Sequence, residues 1–543
     1  TMHPFAHRLA DPTWIQALLN GTATTSAEFP ATFRQREFFD ACRTRTTPMQ
    51  QQHINAILAE SLRLDEYMSE IELLCHGKAP GPSGVTATMI KSWPAATHEL
   101  VFSCLTTIWT HRSTPHWWLH SYLHPIPKKG AATLDNLRPL GLYEITRKIL
   151  AAIIIKRAYR CWERFNLLHP HQHAYRRGVS TSTAILRLLN LVEDAEESGN
   201  PLLVTAWDIK RAFDSIPHAF IRLALPRLGI CDDIAEWFHH MLAHNIVTVQ
   251  SPHVQRNGTG TFPVDPTAFR DTPHTCDIPS FHQERGIGQG DTPSAILWIA
   301  LYDILLCMLS TPLNERSGHF LARGPLHNVY AAGSISYADD LCTPAGSLHM
   351  SQLHADIVST YCAATSLMIA APKVLAFAIN SPASTQLTLY DWHWQAHHVP
   401  FTSTGVAMTY LGLDAAHHLG DASAHAATES CIRAGTTALK YRQASPRCKH
   451  AVVCMQLYPK LLYPAAKTCW SLADYRRLDS ILAQLLKHTS RYMHSVANDM
   501  LYFPTTHGGT GQHKLSDLAQ ARKWRELQRA LSSDGEVALA AHG

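Results

Sequence analysis

Residues 202–215 read LLVTAWDIKRAFDS, an apolar, β-prone run that ends in acidic residues. The run from Leu202 to Trp207 predicts a buried strand, and Asp208 follows it at the exposed end. A second segment, VYAAGSISYADDL at 329–341, predicts a hairpin with Asp339 and Asp340 near its tip. Carboxylates that converge from different strands can bind two divalent cations about 3.5–4 Å apart, the arrangement used for in-line phosphoryl transfer. The two segments together therefore predict a site for phosphoryl-transfer chemistry.

The composition indicates a folded chain of several domains. The 543 residues are 46% hydrophobic and 17% charged, enough for sizeable cores, and suggest roughly two to four domains. The net charge is only +4, from 47 basic and 43 acidic residues, so a nucleic-acid partner would need a local basic surface. The 13 cysteines occur singly, without a CxxC pair, which favours a reduced, intracellular compartment.

The sequence shows no membrane-spanning or secretory segment. No run of 18 or more apolar residues occurs, and the run at 149–155 is far shorter than the roughly 20 residues that cross a bilayer. The N-terminus lacks a charged region followed by an apolar core. We therefore expect an intracellular protein, in the nucleus, the cytoplasm or both, with no membrane partner and no readable targeting signal.

Hydrophobic periodicity and turn residues predict the order of the elements around these two segments. We expect helices at 49–74 (one or two), 98–110, 143–159, 181–194 and 292–309, and helical structure after about residue 420. We expect extended segments at 122–126 and 136–140, and a strand at 246–249 that begins a hairpin. Residues 251–283 show no periodicity and predict a long loop or insertion.

The two acidic segments resemble motifs of reverse transcriptases. DIKRAFDS at 208–215 resembles the first palm motif of that family, and YADD at 337–340 resembles its YxDD box. Between them, GQGDTPS at 288–294 resembles the segment that opens the helix beside the nucleotide. Here Asp291 and Thr292 depart from the usual residues, as does Ala295, so the start of this helix can differ from the family pattern.

Further motifs with the same family resemblance occur upstream and downstream. PKK at 127–129 and NLRP at 136–139 resemble the fingers loop that grips the triphosphate. Lys373 lies where the family places a lysine in its fourth motif, and YLG at 410–412 resembles the primer-grip turn.

Three segments resemble one branch of the family, the reverse transcriptases of non-LTR (LINE-like) retrotransposons. GKAPGPSG at 77–84 resembles a segment near the start of that domain, with Ser83 where Asp is usual. QHAYRRG at 172–178 and GGTG at 508–511 resemble two further segments of the branch. The resemblance covers roughly residues 70–515, and its strength lies in the order and spacing of the motifs.

The resemblance implies an α+β fold, a right hand with fingers, a palm of antiparallel strands backed by helices, and a helical thumb. It divides the chain into an N-terminal helical extension at 1–75, fingers at 76–200, a palm at 201–420 with an insertion at 251–283, a helical thumb at 421–515 and a C-terminal tail at 516–543.

The resemblance also implies an RNA-directed DNA polymerase. In this reaction a primer 3′-hydroxyl attacks the α-phosphate of a dNTP, directed by an RNA template. Asp208, Asp339 and Asp340 are implied as the catalytic residues and as ligands of two Mg²⁺ ions, with Mn²⁺ as the alternative ion. The implied partners are the RNA template, a DNA primer or target, and dNTPs.

Six further residues are implied to bind the nucleotide. Lys128 and Arg138 would supply positive charge to the phosphates, with Lys129 as a competitor for the role of Lys128. Phe213 would pack beneath the deoxyribose and clash with a 2′-hydroxyl. Lys373 would protonate the leaving pyrophosphate or cover the site. The remaining two residues of the set are Gln289 and Gly290.

Two other functions remain open from the sequence. A catalytically silent descendant would bind RNA as a scaffold, and primer extension with and without an RNA template separates it from an enzyme. An intron-encoded maturase would bind RNA for splicing, and rescue of intron splicing would identify it. The segments at 77–84 and 508–511 favour the retroelement.

Overall fold

The computed structural model describes residues 4–30, 32–128, 137–250, 280–310, 319–323, 329–381, 386–391, 393–402, 408–415, 421–468 and 470–531. The helices are α1 Pro4–His7, α2 Pro12–Asn20, α3 Gln35–Cys42, α4 Pro48–Ala59, α5 Leu64–Leu73, α6 Ala87–Lys91, α7 Ala95–Thr110, α8 Ile145–Arg164, α9 Thr181–Ser198, α10 Ala212–Ser215, α11 Ile221–Arg227, α12 Asp232–Ala243, α13 Ser294–Ser310, α14 Leu348–Ala364, α15 Asp421–Lys440, α16 Pro446–Val452, α17 Tyr458–Ala465, α18 Leu472–Ser490, α19 Asn498–Leu501 and α20 Leu515–Leu531. The strands are β1 His120–Pro127, β2 Leu137–Leu142, β3 Leu202–Trp207, β4 Ile209–Lys210, β5 Ile246–Val249, β6 Ser280–His282, β7 Leu321–Arg323, β8 Val329–Ala331, β9 Ile335–Tyr337, β10 Asp340–Ala345, β11 Met368–Ile369, β12 Leu375–Ile379, β13 Gln386–Tyr390, β14 Ala396–Pro400, β15 Met408–Tyr410 and β16 Leu413–Ala415.

An antiparallel sheet in the order β12–β3–β10–β9 forms the centre of the palm. In its register Trp207 lies opposite Leu341, and Asp340 lies opposite Tyr337. The predicted strand at 202–207 is confirmed as β3. The hairpin predicted at 329–341 lies further along the chain, in β9 and β10, because β8 pairs with β7 instead. The palm sheet therefore carries both acidic segments, one at the end of β3 and one at the turn before β10.

A second sheet, in the order β2–β1–β5–β6, belongs to the fingers. Strands β1 and β2 form an antiparallel hairpin in which Ile126 lies opposite Arg138. Strand β5 runs parallel to β1 and antiparallel to β6, with Thr248 opposite Ser280. The sheet thus combines two strands from the predicted fingers, 76–200, with two strands from the predicted palm, 201–420. Strands β5 and β6 flank the stretch 251–279 in the sequence. That stretch lies outside the described residues, as do 129–136 of the predicted fingers loop and 532–543 of the predicted tail.

Local sequence signals set the ends of the helices. At the start of α9, the Ser180 N–H donates to the Thr183 hydroxyl at 2.9 Å, and Gly199 ends the helix in a left-handed conformation. Thr47 and Gln50 form a capping box at the start of α4, in which the side chain of each residue accepts a hydrogen bond from the backbone N–H of the other. The helices predicted at 98–110, 143–159, 181–194 and 292–309 are α7, α8, α9 and α13, whose ends differ from the predicted ones by a few residues. Such shifts arise because caps and packing decide the last turn more than periodicity does.

The N-terminal helices pack into the same hydrophobic core as the fingers and palm. Phe5 and Phe38 are buried in one cluster with Trp298 and Tyr361, which come from α13 and α14 of the palm. The thumb has a separate core, formed by residues of α15, α17, α18 and α20 such as Leu482. The architecture is the α+β right hand expected from the sequence: fingers, an antiparallel palm sheet backed by helices, and a helical thumb. In the part of the chain that is described, no helix is long and apolar enough to cross a membrane.

Candidate active site

One large cavity of about 1130 Å³ lies between the fingers hairpin and the palm sheet. The structure brings all of the sequence-predicted site residues to its walls: Lys128, Arg138, Asp208, Phe213, Gln289, Gly290, Asp339, Asp340 and Lys373. These residues come from segments far apart in the chain, so the fold, and no single motif, creates the site.

The three carboxylates stand at one end of the palm sheet. Asp208 directly follows β3, and Asp340 is the first residue of β10. Because Trp207 lies opposite Leu341 in the antiparallel ladder, Asp208 and Asp340 lie next to each other on neighbouring strands. Asp339 lies in the tight turn between β9 and β10. The sheet register therefore concentrates three negative charges at the cavity wall.

The turn that carries Asp339 is held from behind by a buried side chain. Ala338 has a left-handed backbone conformation, with φ of 57°, which is unfavourable for a residue with a Cβ. The Gln172 carboxamide accepts a hydrogen bond from the Ala338 N–H at 2.9 Å and donates to its carbonyl oxygen at 3.2 Å. It also donates to the Ser336 hydroxyl at 3.1 Å. Gln172 belongs to the 172–178 segment, so this segment supports the turn of the acidic hairpin through hydrogen bonds.

The carboxylates influence one another electrostatically. Burial raises the pKa of the Asp339 carboxyl above its ordinary value, and the negative charge of Asp208 adds to the rise, whereas Arg138 and Lys128 oppose it. Loss of hydration in the cavity, with the charges of Asp339 and Asp208, raises the pKa of Asp340 to about 6. Like charges in a partly desolvated cavity repel, and a bound cation relieves such repulsion. The site is therefore suited to positively charged ligands.

The two fingers cations lie at the same end of the fingers hairpin. Lys128 directly follows β1, and Arg138 is the second residue of β2. Both side chains are exposed to the cavity, and both lower the pKa of Asp339 through their charge. They thus face the carboxylates from the opposite wall, with room between them for a ligand that carries negative charge.

The loop with Gln289 and Gly290 fits closely against the fingers. A Cβ atom at Gly288 would lie 1.7 Å from the Tyr143 hydroxyl. A Cβ at Gly290, where φ is 111°, would lie 2.5 Å from the carbonyl oxygen of Gly141. The Gly141 N–H also donates to the Gln289 carbonyl oxygen at 2.7 Å. The lack of a side chain at Gly290 therefore allows the contact between this loop and β2, and the lack of one at Gly288 allows the contact with Tyr143, which follows β2.

Asp291, which departs from the family pattern, forms a buried ion pair. The Arg147 guanidinium of α8 donates to its carboxylate at 2.8 Å, and the two side chains are 0% and 1% exposed. The helix that follows begins at Ser294, whose hydroxyl donates to the Gly288 carbonyl oxygen at 2.9 Å. The aspartate at position 291, where the family usually has another residue, is thus neutralised by Arg147 of α8.

Phe213 and Lys373 line the same cavity as Asp208. Phe213 lies on the short helix α10, half-buried, with one side lining the cavity. The Lys373 ammonium lies 3.5 Å from the Asp208 carboxylate, and its side chain is 70% exposed. An exposed ion pair of this kind contributes little stability, so the Lys373 ammonium can leave Asp208 and bind another anion at little cost in free energy.

Sequence reasoning missed several residues of the cavity wall. Tyr175 lines the cavity, and burial raises its pKa, with a further contribution from the charge of Asp339. Its place within the 172–178 segment could have indicated it. Asp214, near the end of the motif at 208–215, accepts a hydrogen bond from the Gln289 amide at 3.3 Å, and burial raises its pKa to about 6. His393, between β13 and β14, and His397, on β14, also line the cavity, and no sequence motif marks them.

The donor set at the palm edge suits a hard divalent cation. Among the described residues, no three His, Cys, Asp or Glu side chains are arranged so that they could hold a metal ion by themselves. Mg²⁺ does not need such a cluster, since it is usually bound by one or two carboxylates together with water and substrate phosphates. Asp208, Asp339 and Asp340 all line the cavity and present carboxylate oxygens of this kind to it.

Comparison with known proteins agrees with this arrangement. The family model "Reverse transcriptase (RNA-dependent DNA polymerase)" matches residues 126–414. The chain is 24% identical over 447 residues to the retrovirus-related Pol polyprotein from type-1 retrotransposable element R2 of Popillia japonica, a match that covers 82% of this chain and 56% of the relative. It is 23% identical to the Pol polyprotein of the same name from Nasonia vitripennis, over 84% of this chain and 41% of the relative. The chain thus spans about half the length of these relatives.

Among solved structures, the chain is similar to an apo telomerase from Candida tropicalis at 12% identity and a TM-score of 0.36, over 56% of this chain and 54% of that one. The family match includes Asp208, Asp339 and Asp340 and the fingers hairpin, and it spans more than half of the chain. Members of this family generally depend on divalent metal ions. The match confirms the resemblance to non-LTR reverse transcriptases seen in the sequence, and the chain belongs to the reverse transcriptase family.

Proposed function

We propose that this chain is the RNA-directed DNA polymerase of a non-LTR retroelement. It would extend a DNA primer with dNTPs on an RNA template. The observation that carries the proposal is that one cavity is lined both by the carboxylates of Asp208, Asp339 and Asp340 and by Lys128 and Arg138 of the fingers, whose charges act on Asp339. A negatively charged triphosphate fits between these cations and a palm edge that can hold metal ions.

The reaction joins the primer 3′-hydroxyl to the α-phosphate of the dNTP and releases pyrophosphate. Asp208, Asp339 and Asp340 would hold two Mg²⁺ ions, or Mn²⁺ ions, which when bound lower the pKa of the hydroxyl and neutralise the leaving charge. Lys128 and Arg138 would bind the β- and γ-phosphates, Arg138 with two parallel hydrogen bonds.

The remaining residues of the cavity would position and select the nucleotide. Phe213 would pack against the deoxyribose and leave no room for a 2′-hydroxyl. Gln289, whose amide is held by Asp214, and Gly290 would contact the nucleotide along its other side. Lys373 would give its proton to the leaving pyrophosphate or cover the site, since its ammonium can leave Asp208 once metal ions bind there.

Template and primer are proposed to lie in the groove between fingers, palm and thumb. Contacts to phosphates and sugars would dominate, so binding should weaken with added salt and depend little on sequence. The R2 relatives support a retroelement origin, and the cell compartment proposed is the nucleus, the cytoplasm or both.

Primer extension tests the proposal. The purified chain, an RNA template with an annealed DNA primer, dNTPs and Mg²⁺ should give full-length extension. Asp208→Asn and Asp339→Asn should each reduce the rate roughly a hundredfold or more, because loss of a metal ligand removes several kcal/mol of transition-state stabilisation. Asp232→Asn, an exposed carboxylate at the start of α12, is the matched control and should extend normally.

Two results would overturn the proposal. Template binding without extension under any divalent metal would identify an RNA-binding scaffold. Extension that survives Asp208→Asn, with Asp232→Asn equally active, would show that the carboxylates at the palm edge are not the catalytic ones.

A further inference from the structure

Three aromatic rings stack beneath the cavity. The rings of Phe213 and Trp298 have centroids 4.6 Å apart and planes inclined by 21°. The rings of Trp298 and Tyr302 follow at 5.2 Å and 26°. Trp298 and Tyr302 are four residues apart on α13, so they lie on one face of that helix, and both are fully buried. The stack therefore runs from the cavity wall into the palm core.

Both ends of the stack reach residues of the candidate site. At one end Phe213 lines the cavity. At the other end the Tyr302 hydroxyl donates to the carbonyl oxygen of Asp339 at 3.5 Å. Trp298 lies between them and contacts both rings, so its position decides where the Phe213 ring stands relative to the turn with Asp339.

Trp298 uses the face of its indole and not its N–H. The indole nitrogen is buried and has no hydrogen-bond partner among the described residues. By contrast Trp162, another fully buried tryptophan, donates to the Leu228 carbonyl oxygen at 3.0 Å. A phenylalanine at 298 would avoid a buried unpaired donor, and the indole is the wider flat surface on which the Phe213 ring can rest.

Phe213 needs such support because its own element is short. Helix α10 has four residues and begins after Arg211, which has a left-handed φ of 49°. A single helical turn does not fix the orientation of a ring by itself. The buried ring of Trp298 stacks on the ring of Phe213 and lies on its core side, away from the cavity.

We propose that Trp298 is a positioning residue for sugar selection, which holds the Phe213 ring against the incoming nucleotide. The inference rests on the proposed polymerase function. Without the indole, Phe213 retracts into the vacated volume and opens space for a 2′-hydroxyl, although Trp298 itself touches neither nucleotide nor metal.

Single-nucleotide extension with matched rNTP and dNTP tests this role. Trp298→Leu keeps an apolar side chain but removes the flat ring, and we expect the ratio of rNTP to dNTP incorporation to rise roughly tenfold. Trp298→Phe keeps an aromatic face and should restore most of the discrimination. Trp162→Leu is the control, because it also removes a buried indole but lies on α8, away from the stack, and should leave the ratio unchanged.

A double variant separates positioning from general loosening of the core. If Trp298 acts through Phe213, then Phe213→Val with Trp298→Leu should discriminate no worse than Phe213→Val alone. Thermal unfolding of each variant shows that it is folded, and Trp298→Met takes the place of Trp298→Leu if the latter does not fold.

The outcomes distinguish this inference from the proposed function. If the unmodified chain extends no primer, the proposed function fails. If it extends primers and Phe213→Val loses discrimination while Trp298→Leu does not, only the role of Trp298 is overturned. An equal loss of discrimination in Trp162→Leu, or strictly multiplicative effects in the double variant, would also overturn it.

Discussion

The carboxamide of Gln172 binds both backbone groups of Ala338, accepting from its N–H at 2.9 Å and donating to its carbonyl oxygen at 3.2 Å. A left-handed conformation at a residue other than glycine costs about 1–3 kcal/mol and persists only where surrounding structure holds it. Gln172 supplies that support one residue before Asp339. The position of the acidic turn therefore depends on a side chain more than 160 residues earlier in the chain.

We predict that Gln172→Ala slows primer extension without preventing folding. A displacement of about 1 Å at a catalytic group can reduce a rate roughly a hundredfold, so kcat should fall by about ten- to a hundredfold while KM for dNTP changes less. Gln352→Ala, which removes a half-buried carboxamide on α14, is the control. A variant with unchanged kcat and a lowered melting temperature would contradict a positioning role.

The Arg147–Asp291 pair should respond differently to single and double replacement. Removal of either partner leaves a buried charge alone and should reduce the free energy of unfolding by about 3–5 kcal/mol. The double variant Arg147→Met with Asp291→Leu should recover most of this loss, because it removes both charges. Unfolding by urea measures the effect, and the more exposed Arg222–Glu236 pair should give about 0–1 kcal/mol for the same replacements. Equal losses in the single and double variants would show that the pair is not coupled.

Phe213→Val should raise the incorporation of rNTP relative to dNTP by about ten- to a hundredfold, the range over which a pocket discriminates a small group. The reason is the space that opens where the 2′-hydroxyl would lie. Single-nucleotide extension gives the ratio, and Phe281→Val on the exposed strand β6 is the control. Unchanged selectivity would make Phe213 a core residue only.

Lys128→Ala and Arg138→Ala should each weaken dNTP use by roughly ten- to a hundredfold, since one charge-assisted phosphate contact is worth about 1.5–3 kcal/mol. Arg138→Lys should recover only part of the loss, because an ammonium cannot form two parallel hydrogen bonds. Template–primer affinity should change little, and Arg222→Ala serves as the control. If Arg138→Ala weakened template binding as much as dNTP use, Arg138 would belong to the nucleic-acid groove.

Asp303 predicts a pH dependence of stability. Burial opposes its charged form, yet Arg227 at 2.6 Å and Arg45 at 3.1 Å hold the pKa of Asp303 below its ordinary value. A lowered pKa in the folded state stabilises the protein above the unfolded pKa of about 3.9, and this stabilisation is lost as the pH falls through the folded pKa. Asp303→Asn should therefore be less stable than the unmodified chain at pH 7, and the gap should close in acid below about pH 4.

Urea unfolding between pH 7 and pH 3 measures this gap. Asp232→Asn is exposed at the start of α12 and should show no comparable pH-dependent difference. A gap for Asp303→Asn that stays constant over the whole range would show that the ionised carboxylate does not stabilise the fold.

Local patterns could predict the elements of the palm but not their partners. Strand β3 could be located from its apolar run, whereas the partner of Val329–Ala331 could not, because pairing with β7 or with β10 depends on distant residues. The motifs likewise showed only that Asp291 differs from the usual family residue, because its ion pair depends on a distant segment of the chain. Its compensating partner Arg147 lies on another helix, and nothing in the neighbourhood of either residue links them.

The candidate site shows the same division. The place of Phe213 at the cavity wall could be predicted from the resemblance of the motif at 208–215 to the first palm motif of the family. Trp298 and Gln172 act through packing and hydrogen bonds across the fold, and the sequence contains no spacing that would indicate these contacts.

The pairing of β5 with β6 has a consequence for how this chain can change in length. Thr248 and Ser280 are neighbours in the ladder, so the fingers sheet holds these two residues side by side although many residues of the chain separate them. The entropic cost of bringing two positions of a chain together grows only with the logarithm of the number of residues between them, and a doubling adds only about 0.6 kcal/mol. We therefore expect an insertion or deletion between Thr248 and Ser280 to cost little stability as long as the strand register is kept. An affinity tag or a fluorescent domain inserted between β5 and β6 should likewise leave the fold intact, and it would allow the protein to be followed in cells.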